Sequence, residues 1–272
     1  MSHTICKRLT MDYEKIVYKK EGGIAKIILN RPDELNSMDG HMIEEIGRAL
    51  EDAERDRSVR VVVLTGKGRA FCAGMDLTFV REKVKTLWDQ QELFRYTNKV
   101  VTDAIENLGK PVIASVNGFA LAGGFEVMLA CDIVIASEEA VFGDQHINFG
   151  LVGPGGSTKR TPRIVGIRKA KELIFTGDKI SAQKAERIGL INRVVPANEL
   201  ESATDEIAMK IAEKSPVALK IAKTLLNQSL EVDSNRASEL EVMSAIVNAT
   251  SEDYEEGMRA FGEKRKPVFK GK

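Results

Sequence analysis

Three runs of the chain, Val59–Thr65, Val112–Val116 and Ile133–Ala136, are almost continuously apolar, and helix-like stretches separate them. A strand with one wet face alternates apolar and polar residues, whereas a strand buried on both faces does not. Such runs predict a sheet covered on both sides. The intervening helical stretches supply the cover, so the layout is of the βαβ type and the fold class is α/β.

Other elements fit around these runs. Ile16-Val17-Tyr18 and Ala25–Leu29 flank Glu21-Gly22-Gly23, whose glycines admit the positive φ angles of a tight hairpin. Asp39 is placed to cap a helix in which Met42, Ile43, Ile46, Ala49, Leu50 and Ala53 recur at helical spacing. An amphipathic segment from about Val80 to Leu108 links the first two runs, and the short apolar stretch Phe125–Cys131 precedes the third. Ser181 caps a helix to Ile188, and Ile191–Val195 forms a last strand. Beyond Pro196 everything reads as helix, in segments of about Asn198–Lys214, Pro216–Leu230, Ser234–Ala249 and Ser251–Lys264. The expected division is a core at residues 1–196 and a helical region at 197–272. Val217, Ile221, Leu225 and Leu226, and then Leu240, Met243, Ile246 and Val247, form stripes too broad for a solvated helix, so they must cover the core or another subunit. No fixed-period repeat is visible.

Composition removes several functions. The 272 residues include 40 Lys or Arg and 40 Asp or Glu, so no net charge draws the chain to nucleic acid or an anionic membrane, and a polyanionic ligand must be met locally. No apolar run approaches the ~20 residues of a membrane helix. Met1–Arg8 has no apolar signal core, and Cys6, Cys72 and Cys131 are odd in number and far apart, which predicts a reducing cytoplasm. Cys131 closes an apolar run and reads as a small core residue. A chain this long hides about 70–75% of its unfolded surface and needs neither disulfide nor metal to fold.

The sequence contains no G-x-G-x-x-G, P-loop, H-E-x-x-H or C-x-x-C, so chemistry without a metal or a resident cofactor is the default. Of the three histidines, His3 and His41 lie near the terminus and at a helix start. His146 alone sits among glycines and acids, in Gly143–Gly150 just ahead of Gly153-Pro154-Gly155-Gly156. Ala122-Gly123-Gly124-Phe125-Glu126 follows a strand and opens a helix. Its unpaired N–H groups at a positive helix end suit a developing oxyanion, although glycines there equally suit a tight turn. Ala73-Gly74-Met75-Asp76-Leu77 is a second such loop, with Asp76 at a helix-cap position. Glu126 lies one turn into an apolar helix, and a buried carboxylate needs a partner or a purpose; its pKa should rise toward the range of acid–base work.

At these residues the sequence resembles the crotonase superfamily, the enoyl-CoA hydratase/isomerase family, from Tyr13 to Lys270. The likeness is carried by Asn30-Arg31-Pro32…Leu35-Asn36, by Phe71–Leu77, by Asn117–Glu126, by Phe149–Gly156 and by Gly257–Lys266. It implies a spiral of ββα units followed by a helical trimerisation region, assembled as a homotrimer or homohexamer. It further implies an acyl-CoA thioester substrate, with coenzyme A entering as part of that substrate. The N–H groups of Met75 and Gly123 would then hold the thioester oxygen, and Ala73, Asp76 and Leu77 would border the adenine. Phe261 and Lys264 would reach the coenzyme from a neighbouring subunit.

Hydratases of this family use two glutamates. Glu126 matches the first, but twenty residues on, where the second would stand, this chain has His146. An imidazole can give or take a proton near neutrality, so it can fill the role with the opposite charge. Asp144 is the other candidate for it. The expected activity is enoyl-CoA hydration. An isomerase, hydrolase or decarboxylase of the same fold is the alternative, and an RNA- or acyl-CoA-binding protein without catalysis is the alternative of another class.

Overall fold

The computed structural model describes residues 12–272, so Cys6, His3 and the Met1–Arg8 segment lie outside the described residues. β1 (Ile16–Glu21) and β2 (Ile24–Leu29) form the antiparallel hairpin expected at Glu21-Gly22-Gly23. The Asp39 carboxylate accepts from Met42 N at 2.8 Å and caps α1 (Gly40–Arg55), whose six expected apolar residues are all buried. Glu45 shares that face and is fully buried. It accepts the N–H groups of Glu14, Lys15 and Ile16 at 2.8, 2.8 and 3.1 Å, which satisfies a charge that would otherwise be costly inside.

The chain then makes three similar passes. The first is β3 (Val61–Gly66), β4 (Ala70–Cys72), α2 (Leu77–Lys83), α3 (Leu87–Thr97), a π-helical turn at Asn98–Thr102 and α4 (Asp103–Asn107). The second is β5 (Val112–Val116), β6 (Phe119–Leu121) and α5 (Gly123–Ala130). The third is β7 (Ile133–Ser137), β8 (Val141–Gly143), α6 (Ser157–Val165) and α7 (Ile167–Thr176). β9 (Ile180–Ser181), α8 (Ala182–Arg187) and β10 (Arg193–Val195) follow. In each pass the first strand enters the six-stranded sheet, ordered β1-β2-β3-β5-β7-β10, and the second enters the four-stranded sheet, ordered β4-β6-β8-β9. The added strands run parallel to their predecessors. This is the spiral of ββα units. The passes begin at Val61, Val112 and Ile133 and carry unequal helical insertions, so the structural repeat leaves no fixed period in the sequence.

Both faces of the larger sheet are covered, as the apolar runs require. Met42, Ile46 and Leu50 of α1 join Ile27, Val62, Leu64 and Ala114 in one core. On the opposite face α9 (Leu200–Ala212) lays Leu200, Ala203 and Ala208 against Val61, Val63, Ile113 and Ile135. The chain ends in α10 (Pro216–Gln228), α11 (Ser234–Ala249) and α12 (Glu252–Glu263). Lys223 of α10 is buried and donates to Ile105 O at 2.9 Å, Lys110 O at 3.1 Å and Asp132 Oδ2 at 2.7 Å, which pins that helix to the core. No residue of α11 is buried within the single chain. Cys131 is half-buried and packs against the core edge. Among the described residues no helix is long and apolar enough to cross a membrane.

Candidate active site

The loop after β4 is braced before it carries any function. Asn36, buried and at φ +55, accepts from Arg31 N at 2.9 Å and donates to Lys67 O and Ala70 O at 3.0 and 2.7 Å. Ala73 N donates to Leu35 O at 3.0 Å, Met38 N to Gly74 O at 2.7 Å and Asp76 N to Met38 O at 2.9 Å. These bonds hold Ala73, Gly74 and Asp76 and leave the Met75 N–H without an acceptor among the described residues. Asp76 caps α2 through Thr78 N and Phe79 N and meets Arg31 Nη2 at 3.0 Å. Burial opposes its charge, but Arg31 and the two N–H groups outweigh burial and hold its carboxyl below the usual carboxylate range.

The second loop presses against the first. A methyl added to Gly74 would come within 2.9 Å of Gly123 N, and one added to Gly123 within 3.4 Å of Met75 N. Glycine is needed at Gly74, which is also at φ +108, and a methyl at Gly123 would be tight, because the backbones themselves meet. Ala122, between β6 and α5, has φ +49 and ψ −121, a conformation that costs a non-glycine residue about 1–3 kcal/mol. Gly123 N, the first amide of α5, lies beside Gly74 and Met75 and has no acceptor among the described residues. Two neighbouring unpaired N–H groups, one at a helix N-terminus, form a receptor for one oxygen that gains negative charge.

Glu126 is 3% exposed, one turn along α5. Its Oε1 accepts from Ser157 N at 3.2 Å, and the Gly155 amide stands near enough to favour the charged carboxylate. A methyl on Gly153 would lie 2.7 Å from Glu126 Oε1 and 2.8 Å from both Cε1 and Nδ1 of His146, so the carboxylate and the imidazole face each other across that glycine. His146 begins a 3-10 turn, His146–Phe149, and its Nδ1 is 2.9 Å from Asp144 Oδ1, which leaves Nε2 without a protein partner among the described residues. Burial raises the pKa of Glu126; the His146 charge and the two amides offset part of that rise. For His146 burial acts downward, yet the bond to Asp144 and the charges of Glu126 and Asp144 prevail and its pKa is raised. Asp144 is buried, but the hydrogen bonds from His146 and its charge hold its carboxyl below the ordinary value. Asp144 is therefore turned toward His146 as an acceptor.

The structure thus brings together Glu126, His146, Asp144, Met75 and Gly123, with Ala73, Asp76 and Leu77 on the adjoining loop and helix start. Phe261 and Lys264, at the end of α12, stand apart: Phe261 is 84% exposed, and Lys264 Nζ has no hydrogen-bond or ion-pair partner among the described residues. Sequence reasoning missed the amides of Gly155 and Ser157, because a backbone donor leaves no mark on residue type. It also left the Phe79–Val101 wall unplaced. There, Leu87, Gln90, Phe94, Arg95 and Asn98 border a cleft of about 400 Å³ that reaches Pro154, beside Gly153. Cys72 is close by, but burial pushes its thiol up to about 12, despite a bond with Gly74, so it is no nucleophile at neutral pH. Among the described residues no group of three or more His, Cys, Asp or Glu is placed to hold a metal ion.

The family model described as enoyl-CoA hydratase/isomerase matches residues 19–272. A short-chain-enoyl-CoA hydratase of Clostridium acetobutylicum is 39% identical over 257 residues, covering 94% of this chain and 97% of that protein. A crotonyl-CoA hydratase of Syntrophomonas wolfei is 37% identical over 260 residues, 95% of this chain and 99% of the relative. The crystal structure of an enoyl-CoA hydratase from Bacillus anthracis shares the fold with a TM-score of 0.90 at 37% identity, covering 95% of this chain and 100% of that one. On the family model and on these full-length likenesses, the chain belongs to the enoyl-CoA hydratase/isomerase family.

Proposed function

We propose that the protein is an enoyl-CoA hydratase in which Glu126 is the base and His146 the acid. The observation that carries this reading is a buried carboxylate and an imidazole facing one another beside two unpaired amides. Glu126 takes a proton from water, and the water oxygen bonds to the β carbon of the thioester. The π electrons move to the carbonyl oxygen, and the enolate so formed is held by Met75 N–H and Gly123 N–H. His146 then gives its Nε2 proton to the α carbon, while Asp144 keeps Nδ1 protonated and the ring oriented. Return of the proton from Glu126 to His146 resets the pair. Both shifts suit these roles, because a raised pKa makes ionised Glu126 a stronger base and helps His146 keep the proton it gives.

The acyl chain would run along α3 toward the cleft at Pro154. Ala73, Asp76 and Leu77 would border the adenine, and Phe261 and Lys264 would come from a second copy in a homotrimer or homohexamer. No metal or cofactor beyond the coenzyme A of the substrate enters these steps. The reducing, cytoplasmic setting expected from the sparse cysteines belongs to the same proposal, supported by Cys72 and Cys131 being free thiols. A panel of enoyl-CoA thioesters, with products identified by mass, tests the whole. Addition of one water, unaffected by EDTA, is expected. A double-bond shift without mass change would make the protein an isomerase, and loss of free coenzyme A or of carbon dioxide would make it a hydrolase or decarboxylase.

A further inference from the structure

The turn Gly153–Gly156 lies over Glu126 so closely that a methyl on Gly155 would fall 2.5 Å from Glu126 Oε2. Glycine alone makes such a turn pliable, yet its carbonyls are gripped from two sides. Asn98, opening the π-helical turn, donates from Nδ2 to Pro154 O at 2.8 Å. Arg160 of α6, 5% exposed, donates from Nη1 to Gly155 O at 2.6 Å and from Nη2 to Glu106 Oε2 of α4 at 2.7 Å, with Asp103 at 3.5 Å. Gly156, at φ +106, folds directly onto the guanidinium: a methyl there would lie 2.0 Å from Nη1. Arg160 Nε is sealed without a partner, so the guanidinium is placed for its two other arms rather than for its own full satisfaction.

We propose that Arg160 is a positioning residue for Glu126: its grip on the Gly155 carbonyl, anchored through Glu106, holds the Gly155 and Ser157 amides against the carboxylate. A buried ion pair is weak evidence of a stabilising role, because desolvation consumes most of the attraction between its charges. What the pair provides here is direction. It fixes the peptide unit between Gly155 and Gly156, which stands between the Gly155 and Ser157 amides, and so holds both in place beside Glu126. The inference rests on Glu126 being the base of the proposed hydration. The charged and titratable groups on elements packed against α5 are Lys99 on the π turn, Asp103 and Glu106 on α4, Lys159, Arg160 and Arg163 on α6, and Cys72 on β4. His146 and Asp144 reach Glu126 from the turn after β8, and theirs are the charges it feels most.

The test is the titration midpoint of Glu126, read by infrared difference spectroscopy from the carboxyl band that disappears in Glu126→Gln. The probes are Arg160→Gln, Arg160→Lys and Glu106→Gln, each checked for folding by circular dichroism. Losing the amides removes hydrogen bonds to the charged form, so the midpoint should rise by about one pH unit in Arg160→Gln. It should rise less in Arg160→Lys, which retains one donor, and also in the milder Glu106→Gln. The acid limb of kcat/KM on a four-carbon 2-enoyl-CoA should move up with it, giving about tenfold less turnover on the acid side, with KM little changed. If Arg160→Gln does not fold, the other two variants decide. A lowered melting temperature with an unmoved midpoint would reduce Arg160 to a structural ion pair and overturn the inference. A midpoint that moves in a protein unable to hydrate any enoyl-CoA would uphold the positioning role and reject the hydratase.

Discussion

Burial makes Glu126 reluctant to ionise, and His146 is the neighbour whose charge does most to counter it. The two residues therefore set each other's working range. On the proposed mechanism, ionisation of Glu126 should fix the acid limb of kcat/KM, above the ordinary glutamate value, and loss of the imidazolium proton the alkaline limb, above the ordinary histidine value. His146→Ala should lose about 10²–10⁴ in turnover, the usual worth of one positioned acid. It should also abolish the alkaline limb and, by removing the cation, move the acid limb to higher pH. A pH–rate series checks all three, and a wild-type profile in His146→Ala would strip His146 of its role. Glu126→Gln should lose a similar factor while still binding thioester. Both residues were legible in the sequence because each is out of place: one acid in an apolar helix, one histidine among glycines. Arg160 and Glu45 were not legible. Glu45 is held by backbone amides of Glu14 to Ile16 and Arg160 by the carboxylates of Glu106 and Asp103, all from distant segments, and nothing local separates the two residues from solvated charges.

At the scale of elements the same substitution should act with opposite signs. In Gly124→Ala the new methyl would lie 2.0 Å from Cys72 O and 2.6 Å from Cys72 C, atoms of β4 that cannot yield unless α5 lifts away. Overpacking of that kind costs about 1–3 kcal/mol or more. In Gly257→Ala, within α12, the nearest atom is Phe269 Cε1 at 3.7 Å, and replacing a helical glycine should gain about 0.5–1 kcal/mol. Thermal melts of the two variants should therefore shift in opposite directions. Either glycine reads in sequence only as a weak helix former; the close approach of β4 separates them. The second sheet escaped sequence reading for a related reason. β4, β6 and β8 have three residues each, too few to show a period, whereas β5, with five buried residues, matched its apolar run from Val112 to Val116. The expected segment from Val80 to Leu108 is also divided, because Thr86 and Asp89 form a capping box that starts a new helix.

On the scale of the whole molecule, α11 is the element a single chain does not explain. Sixteen residues long, it buries none of them, and Val242, Met243, Ile246 and Val247 are 57–61% exposed. Leu226 of α10 and Met258 and Phe261 of α12 extend the apolar surface at 70%, 59% and 84% exposure. Apolar exposure of this extent marks an interface, and helices that the fold leaves uncovered on every copy favour a closed symmetric assembly of like chains. Sedimentation velocity at micromolar concentration should show a trimer or a hexamer. Val242→Glu with Ile246→Glu should break it by burying unpaired charge, while the spiral core, which draws nothing from α11, keeps its fold. The dissociated protein then tests the shared site. If Phe261 and Lys264 serve the coenzyme of a neighbouring copy, KM for the thioester should rise steeply and kcat much less, because neither residue would touch the reacting atoms. A stable wild-type monomer would refute both the assembly and that shared site, and an unchanged KM in the dissociated variant would place the coenzyme wholly within one chain.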